Sequence, residues 1–426
     1  MQRMERKISV EDLEIGMYVS RLDRPWVETR FLFQGFSISN EDDIAQLRET
    51  CQYVFIDPQV ERPADGPFRT PGAGRRRASQ AATVTTYHSG SHDKLGEVFR
   101  SPPAAETYPV VTTLDKEMVH ARESRSETLD MVTSVISDLK MGRKITLTSV
   151  REGVNGLIDS IVRNPTAFMW LTRLKRKDTY AYTHSVDACG LAVAFGRHLG
   201  FSRVDLESLA VGTLLFDIGK LQLPDSLLAK PGRLTENEHR LILRHVEFGV
   251  EIAREIEGVD NQVLSVIASH HERHDGSGYP RGLPGHKIPV NGRIAALVDC
   301  YDAITSDRPY SPAMSAYDAI QSLYEWRDKD FQADMVEQFI QCIGLYPTGT
   351  LVEMSTGEVG IVLAQNRVRR LRPQVMMLLD KDKYAYELNP IVDLIEEPLD
   401  AGGKPVEILR PLPGGSYGID AGDYYL

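Results

Sequence analysis

From Leu114 to about Gly344 apolar residues recur at every third and fourth position, and Gly or Pro interrupts them about every 15 to 25 residues. A 3.6-residue period buries one stripe of each segment, so this stretch must fold as helices packed on helices. The pattern predicts helices over Glu127 to Leu139, Val150 to Arg163, Ala181 to Leu199, Asp205 to Phe216, Glu236 to Ile256, Asp260 to His270, Ile288 to Ala303 and Ala316 to Trp326.

The flanks read differently. Residues 8–10 and 53–56 are short strand-like runs around a helical stretch at 41–50, which predicts a small α+β domain over residues 1–57. From Pro58 the composition turns to Pro, Gly, Ser, Thr and Ala with few large apolar residues, so residues 58–113 read as a disordered linker. His88, His92 and the triplet Arg75 to Arg77 lie in it and read as solvated side chains. The helical unit fills residues 114–345. Beyond it, residues 350–354, 359–363 and 375–379 form β-like runs with a hairpin turn at Thr356 and Gly357, giving a small β-rich appendage and tail over 346–426. The expected class is mainly α, a helical bundle between two small units.

With 426 residues, 42% of them hydrophobic, the chain has ample material for such cores, and a net charge of −11 argues against adsorption to nucleic acid. The four cysteines are scattered and form no CxxC pair, the plain pattern of reduced thiols. Residues 1–17 lack a signal-peptide apolar stretch and no window suits a membrane span, so a cytoplasmic location is expected.

Chemistry concentrates in the bundle. Eight of the 11 histidines fall between His184 and His286, several near carboxylates, and mixed imidazole and carboxylate sets suit first-row divalent metals. His198 and His239 stand alone on helices and read as surface or packing residues. The run HisHisGluArgHisAspGlySerGlyTyrPro at 270–280, with ThrHisSer at 183–185, AspIleGlyLys at 217–220 and the segment 299–310, resembles the HD-GYP family in order and spacing. Residues 5–57 look like the uncharacterised domain often found ahead of such modules.

That resemblance implies an all-helical HD-domain phosphohydrolase that cleaves the bacterial second messenger cyclic di-GMP to linear pGpG and often to GMP. It implies two divalent transition-metal ions, Fe, Mn or similar: one on His184, Asp217 and Asp299, the other on His245, His270 and His271 with Asp217 shared. Two metals can stabilise both the attacking and the leaving oxygen of an in-line displacement. Lys220 would meet the phosphate, Tyr279 and Arg308 would contact the nucleotide, and Gly278 and Pro280 would shape the loop. Asp217 and Lys220 are the expected catalytic pair. The implied ligand is cyclic di-GMP; diguanylate cyclase (GGDEF) proteins and a second copy of the chain are candidate partners, with the oligomeric state left open by the sequence.

Several positions depart from the family's pattern. Phe216 stands where the naming HisAsp pair has its His, and phenyl offers a metal no lone pair. Tyr180 stands where three-metal members have a Glu, which sets the ceiling at two ions. Ser311 and Pro312 replace a commonly basic position, and His274 is a candidate surrogate ligand. The sequence therefore supports a cyclic di-GMP phosphodiesterase weakened at one ligand; the alternative is an inactive module that binds cyclic di-GMP or a protein. A phosphohydrolase of other nucleotides is a third reading, against which the GlyTyrPro loop counts.

Overall fold

In a computed structural model of the chain, the described residues are 6–24, 36–38, 41–56, 106–173, 180–230, 232–306, 313–366, 369, 371–419 and 421–424. They form two compact units, divided near Glu97.

The first unit is a four-stranded antiparallel sheet in the order β1 (Arg6–Ser9), β4 (Tyr53–Ile56), β2 (Tyr18–Leu22), β3 (Phe36–Ser37), with helix α1 (Glu41–Thr50) before β4. Alternation sorts its side chains: Val54 and Ile56 join Val19, Leu22, Ile44 and Leu47 in the core. On the other face the Lys7 ammonium lies over the Tyr53 ring and the Arg21 guanidinium over Phe55, cations set on aromatic faces. The helix at 41–50 and the strand at 53–56 match the sequence reading; β2 and β3 are additional.

The second unit is built from α2 (Leu114–Lys140), α3 (Leu147–Arg163), α4 (Pro165–Leu171), α5 (Tyr180–His198), α6 (Arg203–Leu215), α7 (Asp225–Leu228), α8 (Glu236–Leu243), α9 (His245–Arg254), α10 (Asn261–Ser269), α11 (Val290–Ile304), α12 (Ala316–Glu325) and α13 (Ala333–Ile343). Their starts are chemically marked. Asn164 caps α4 with Pro165 in its first turn, Ser202 caps α6, and Thr235 and Glu238 form a capping box on α8. Helix α5 is buried nearly all round from His184 to Arg197 and packs against α2, α3, α6, α11 and α13, which makes it the centre of the bundle.

Two helices differ from the pattern read in the sequence. The segment expected as one helix from Glu236 to Ile256 is broken at Arg244, whose N–H closes a tight turn on Leu241, while the His245 ring takes the Ile242 carbonyl. Helix α2 starts 13 residues before the expected Glu127, at Leu114. Its buried positions there are Glu117, Met118, Ala121 and Ser124, so a hydropathy pattern does not reveal them. Glu117 is fully buried and forms a two-pronged ion pair with Arg163, at 2.7 and 2.9 Å. Removing Arg163, itself about a third exposed, would leave the Glu117 carboxylate buried without its partner.

Residues 106–113, assigned by sequence to the linker, run extended against the bundle. Glu106 N–H bonds to Gly200, Val111 N–H to Arg163, and Arg197 to the Tyr108 carbonyl. Of the expected linker, residues 58–105 lie outside the described residues, with His88, His92 and Arg75 to Arg77.

The C-terminal strands form an antiparallel sheet ordered β8 (Ile391–Asp393), β7 (Gln374–Leu379), β6 (Val359–Ala364), β5 (Leu351–Met354), β9 (Ile408–Pro411). The hairpin turn falls at Gly357, which takes φ +87°. The sheet is fused to the bundle. Leu351, Val359, Ile361, Leu363 and Leu378 share one core with Met118, Ala121, Ala167 and Trp170, and the Trp170 indole donates to the Leu363 carbonyl at 2.9 Å.

Candidate metal centre

Five elements meet at one point. Helix α5 supplies His184; the end of α6 supplies Phe216, and Asp217 follows it at the head of a 3-10 turn, Ile218–Gln222. Helix α9 opens with His245, α10 ends into His270 and His271, and α11 carries Asp299 and Asp302. The 3-10 turn presses on α9 so closely that a Cβ on Gly219 would lie 1.9 Å from the His245 carbonyl oxygen. Only glycine permits that approach, which sets Asp217 against His245.

Asp217, His245, His270 and His271 bring ligand atoms within 4.8 Å of one another. The hydrogen bonds around them fix where the protons are. His245 Nδ1 lies 2.7 Å from the Ile242 carbonyl and His270 Nδ1 lies 2.9 Å from the Ile267 carbonyl. A carbonyl has no proton to give, so each Nδ1 donates and each Nε2 keeps its lone pair. The two Nε2 atoms stand 3.4 Å apart, with Asp217 Oδ1 at 3.4 and 4.0 Å.

Burial keeps the imidazoles neutral. It pushes His270 down to about 4 with help from neighbouring His245, lowers His245, and pushes His271 well down. For Asp217 burial acts upward, but Lys220 and the histidines outweigh it and hold the carboxyl below the usual carboxylate range. The Nε2 lone pairs of His245 and His270 therefore meet the Asp217 carboxylate with no proton among them and with His271 beside them, which is the donor set a divalent transition metal fits.

His184 is arranged differently. Its Nδ1 lies 2.7 Å from Asp302 Oδ2 and its Nε2 lies 3.1 Å from Asp299 Oδ1. Burial alone would lower its pKa, but the bonds to the two carboxylates lift it to about 9 in the metal-free protein. Phe216 is fully buried, with its ring stacked on His184 at 5.8 Å and tilted against His270 at 4.8 Å.

The GlyTyrPro loop folds back over the centre. Tyr279 N–H bonds to the His271 carbonyl at 3.1 Å, and its ring stacks on the His271 ring at 4.6 Å. Gly278 lies against the backbone of 271–273, where a Cβ would meet Arg273 N at 2.3 Å. Pro280 follows a cis peptide bond. Lys220 Nζ sits 2.5 Å from Asp217 Oδ2, and its side chain is 41% exposed. His274 is outside the four-residue group; it lines a small cavity with Glu272, Arg293 and Asp330. Arg308, Ser311, Pro312 and the side chain of Tyr180 lie outside the described residues.

Two contributors have no role in the sequence reading. Asp302 is 1% exposed and orients His184; its signal is the i, i+3 spacing from Asp299 on one helix. Glu272 is equally buried, and its two oxygens accept Arg281 N–H at 2.9 Å and Leu283 N–H at 2.8 Å, clamping the ends of the loop. Nothing local in the sequence announces that clamp.

The profile of the HD domain matches residues 164–334, a domain of unknown function (DUF3391) matches 5–150, and a KOW domain associated with the HD domain matches 351–399. Cyclic di-GMP phosphodiesterase PA4108 of Pseudomonas aeruginosa is 33% identical over 92% of this chain and 89% of its own length. The cyclic di-GMP phosphodiesterase response regulator RpfG of Xanthomonas campestris is 40% identical over 34% of this chain and 38% of its own. The 3'3'-cGAMP-specific phosphodiesterase 2 of Vibrio cholerae is 36% identical over 33% of this chain and 27% of its own. With an HD domain behind that N-terminal domain, the 270–280 motif folded over a His and Asp cluster, and a relative alike over nearly the whole length, the chain belongs to the HD-GYP family.

Proposed function

We propose that this chain hydrolyses cyclic di-GMP to linear pGpG at a divalent transition metal held by Asp217, His245, His270 and His271. The observation that carries the reading is the pair of Nε2 lone pairs 3.4 Å apart beside Asp217, roofed by Tyr279. A bound metal of this kind acts as a Lewis acid and makes water a nucleophile near neutral pH.

The chain's own groups do the rest. Neutral His245 and His270 are held in the ligating tautomer by backbone carbonyls, so no proton has to leave them on metal binding. The half-exposed Lys220 ammonium puts positive charge beside Asp217, where a phosphodiester would approach. Tyr279 offers a ring face next to the centre, on the loop clamped by Glu272. Arg308 is proposed for the second nucleotide contact on the family resemblance. Diguanylate cyclase proteins are proposed partners on the same ground. Among the described residues no helix is long and apolar enough to cross a membrane.

Phe216 favours a second reading, a cyclic di-GMP receptor without turnover, because it fills the position of a ligand with a buried ring. The test is chromatography of products from cyclic di-GMP and 3'3'-cGAMP, with and without a chelator. Chelator-sensitive release of pGpG from cyclic di-GMP supports the enzyme; faster cleavage of 3'3'-cGAMP would move the substrate, and no cleavage of either would leave the receptor.

A further inference from the structure

The family resemblance implies two ions, and the donor atoms do not bear that number. We infer that the centre holds one metal ion, on Asp217, His245, His270 and His271, and that His184, Asp299 and Asp302 form a hydrogen-bonded bracket that takes no ion. The inference rests on the metal-centre reading above and specifies its stoichiometry.

Donors sharing a metal at about 2.1 Å cannot stand more than about 4.2 Å apart, and a transition-metal site needs at least three of them from the protein. Among the described residues one group of three or more such donors lies within 4.8 Å, and neither His184 nor Asp299 is in it. Where the naming motif would place the missing donor, the chain has Phe216, packed between the rings of His184 and His270. His184 Nδ1 faces Asp302 at 2.7 Å, and its Nε2 with Asp299 Oδ1 at 3.1 Å makes a pair of donors, one short of the three required. The bracket leaves Asp299 Oδ2 3.8 Å from His271 Nδ1, beyond hydrogen-bond distance, so the carboxylate's bonded partner is His184.

The test is metal content of the full chain loaded with Mn²⁺ and desalted, measured by elemental analysis and by electron paramagnetic resonance, with folding checked by circular dichroism. The wild type should hold one ion per chain with an uncoupled Mn²⁺ spectrum. His270→Ala should fall to none, His184→Asn should keep its ion, and Phe216→His should rise toward two with a spin-coupled signal. Two ions in the wild type, or loss of one from His184→Asn, would overturn this inference and leave the metal centre standing. No ion in a folded wild type would overturn both.

Discussion

His245 and His270 present unprotonated Nε2 atoms to each other across 3.4 Å, each ring pinned from behind by a backbone carbonyl. Metal retention should therefore resist acid. Three histidines with ordinary pKa values near 6.5 would weaken binding roughly a thousandfold between pH 7.5 and 5.5. Here burial holds all three down, His270 to about 4, so equilibrium dialysis of Mn²⁺ over that range should show less than about a tenfold change. A thousandfold loss would mean that these rings titrate normally.

The metal-free protein should have a stability optimum near pH 6.5. His184, raised to about 9, stabilises fully below the unfolded value of 6.5, and that contribution is lost as pH rises through 9. His270, lowered to about 4, works the other way: below 6.5 the unfolded chain takes up the proton first, so stability falls as pH drops toward 4. Thermal melts across pH 5 to 9.5 should show both limbs, and His184→Asn should flatten the alkaline one. An unchanged alkaline limb in that variant would contradict the bracket.

Glu272→Gln tests the loop clamp. The amide keeps one acceptor but turns an N–H toward a backbone N–H, and a buried donor left unpaired costs about 1–3 kcal/mol. That cost should appear in KM, raised roughly tenfold through displacement of Tyr279, with metal content unchanged. A variant with wild-type KM would show that the loop holds without the carboxylate.

The C-terminal sheet should prove inseparable from the bundle. Trp170→Ala, which removes the indole bond to Leu363 and the centre of the shared core, should cost about 3–5 kcal/mol in urea denaturation. Ending the chain at Tyr346 should expose Trp170 and Met118 and give an aggregating product. A soluble truncation with native circular dichroism would contradict a shared core.

Much of this was legible in the sequence because burial and period coincide there. Helices α3, α10 and α12 carry apolar stripes, α5, α6 and α11 are buried on nearly every side, and the expected limits of all six are met within a few residues. The first half of α2 hides because its buried positions include Glu117 and Ser124, polar groups satisfied by Arg163 and by the Ala121 carbonyl. The site residues that belong to a local motif were readable as a set. Their supports were not: Asp302 meets His184 across 118 positions, and Trp170 meets Leu363 across 193, so neither contact leaves a local trace.

The most direct test follows cyclic di-GMP with the purified, Mn²⁺-loaded chain, reading hydrolysis and binding in the same sample and using Asp217→Ala as the control. The account predicts release of pGpG well above that control. Cyclic di-GMP that binds and is recovered intact would contradict it.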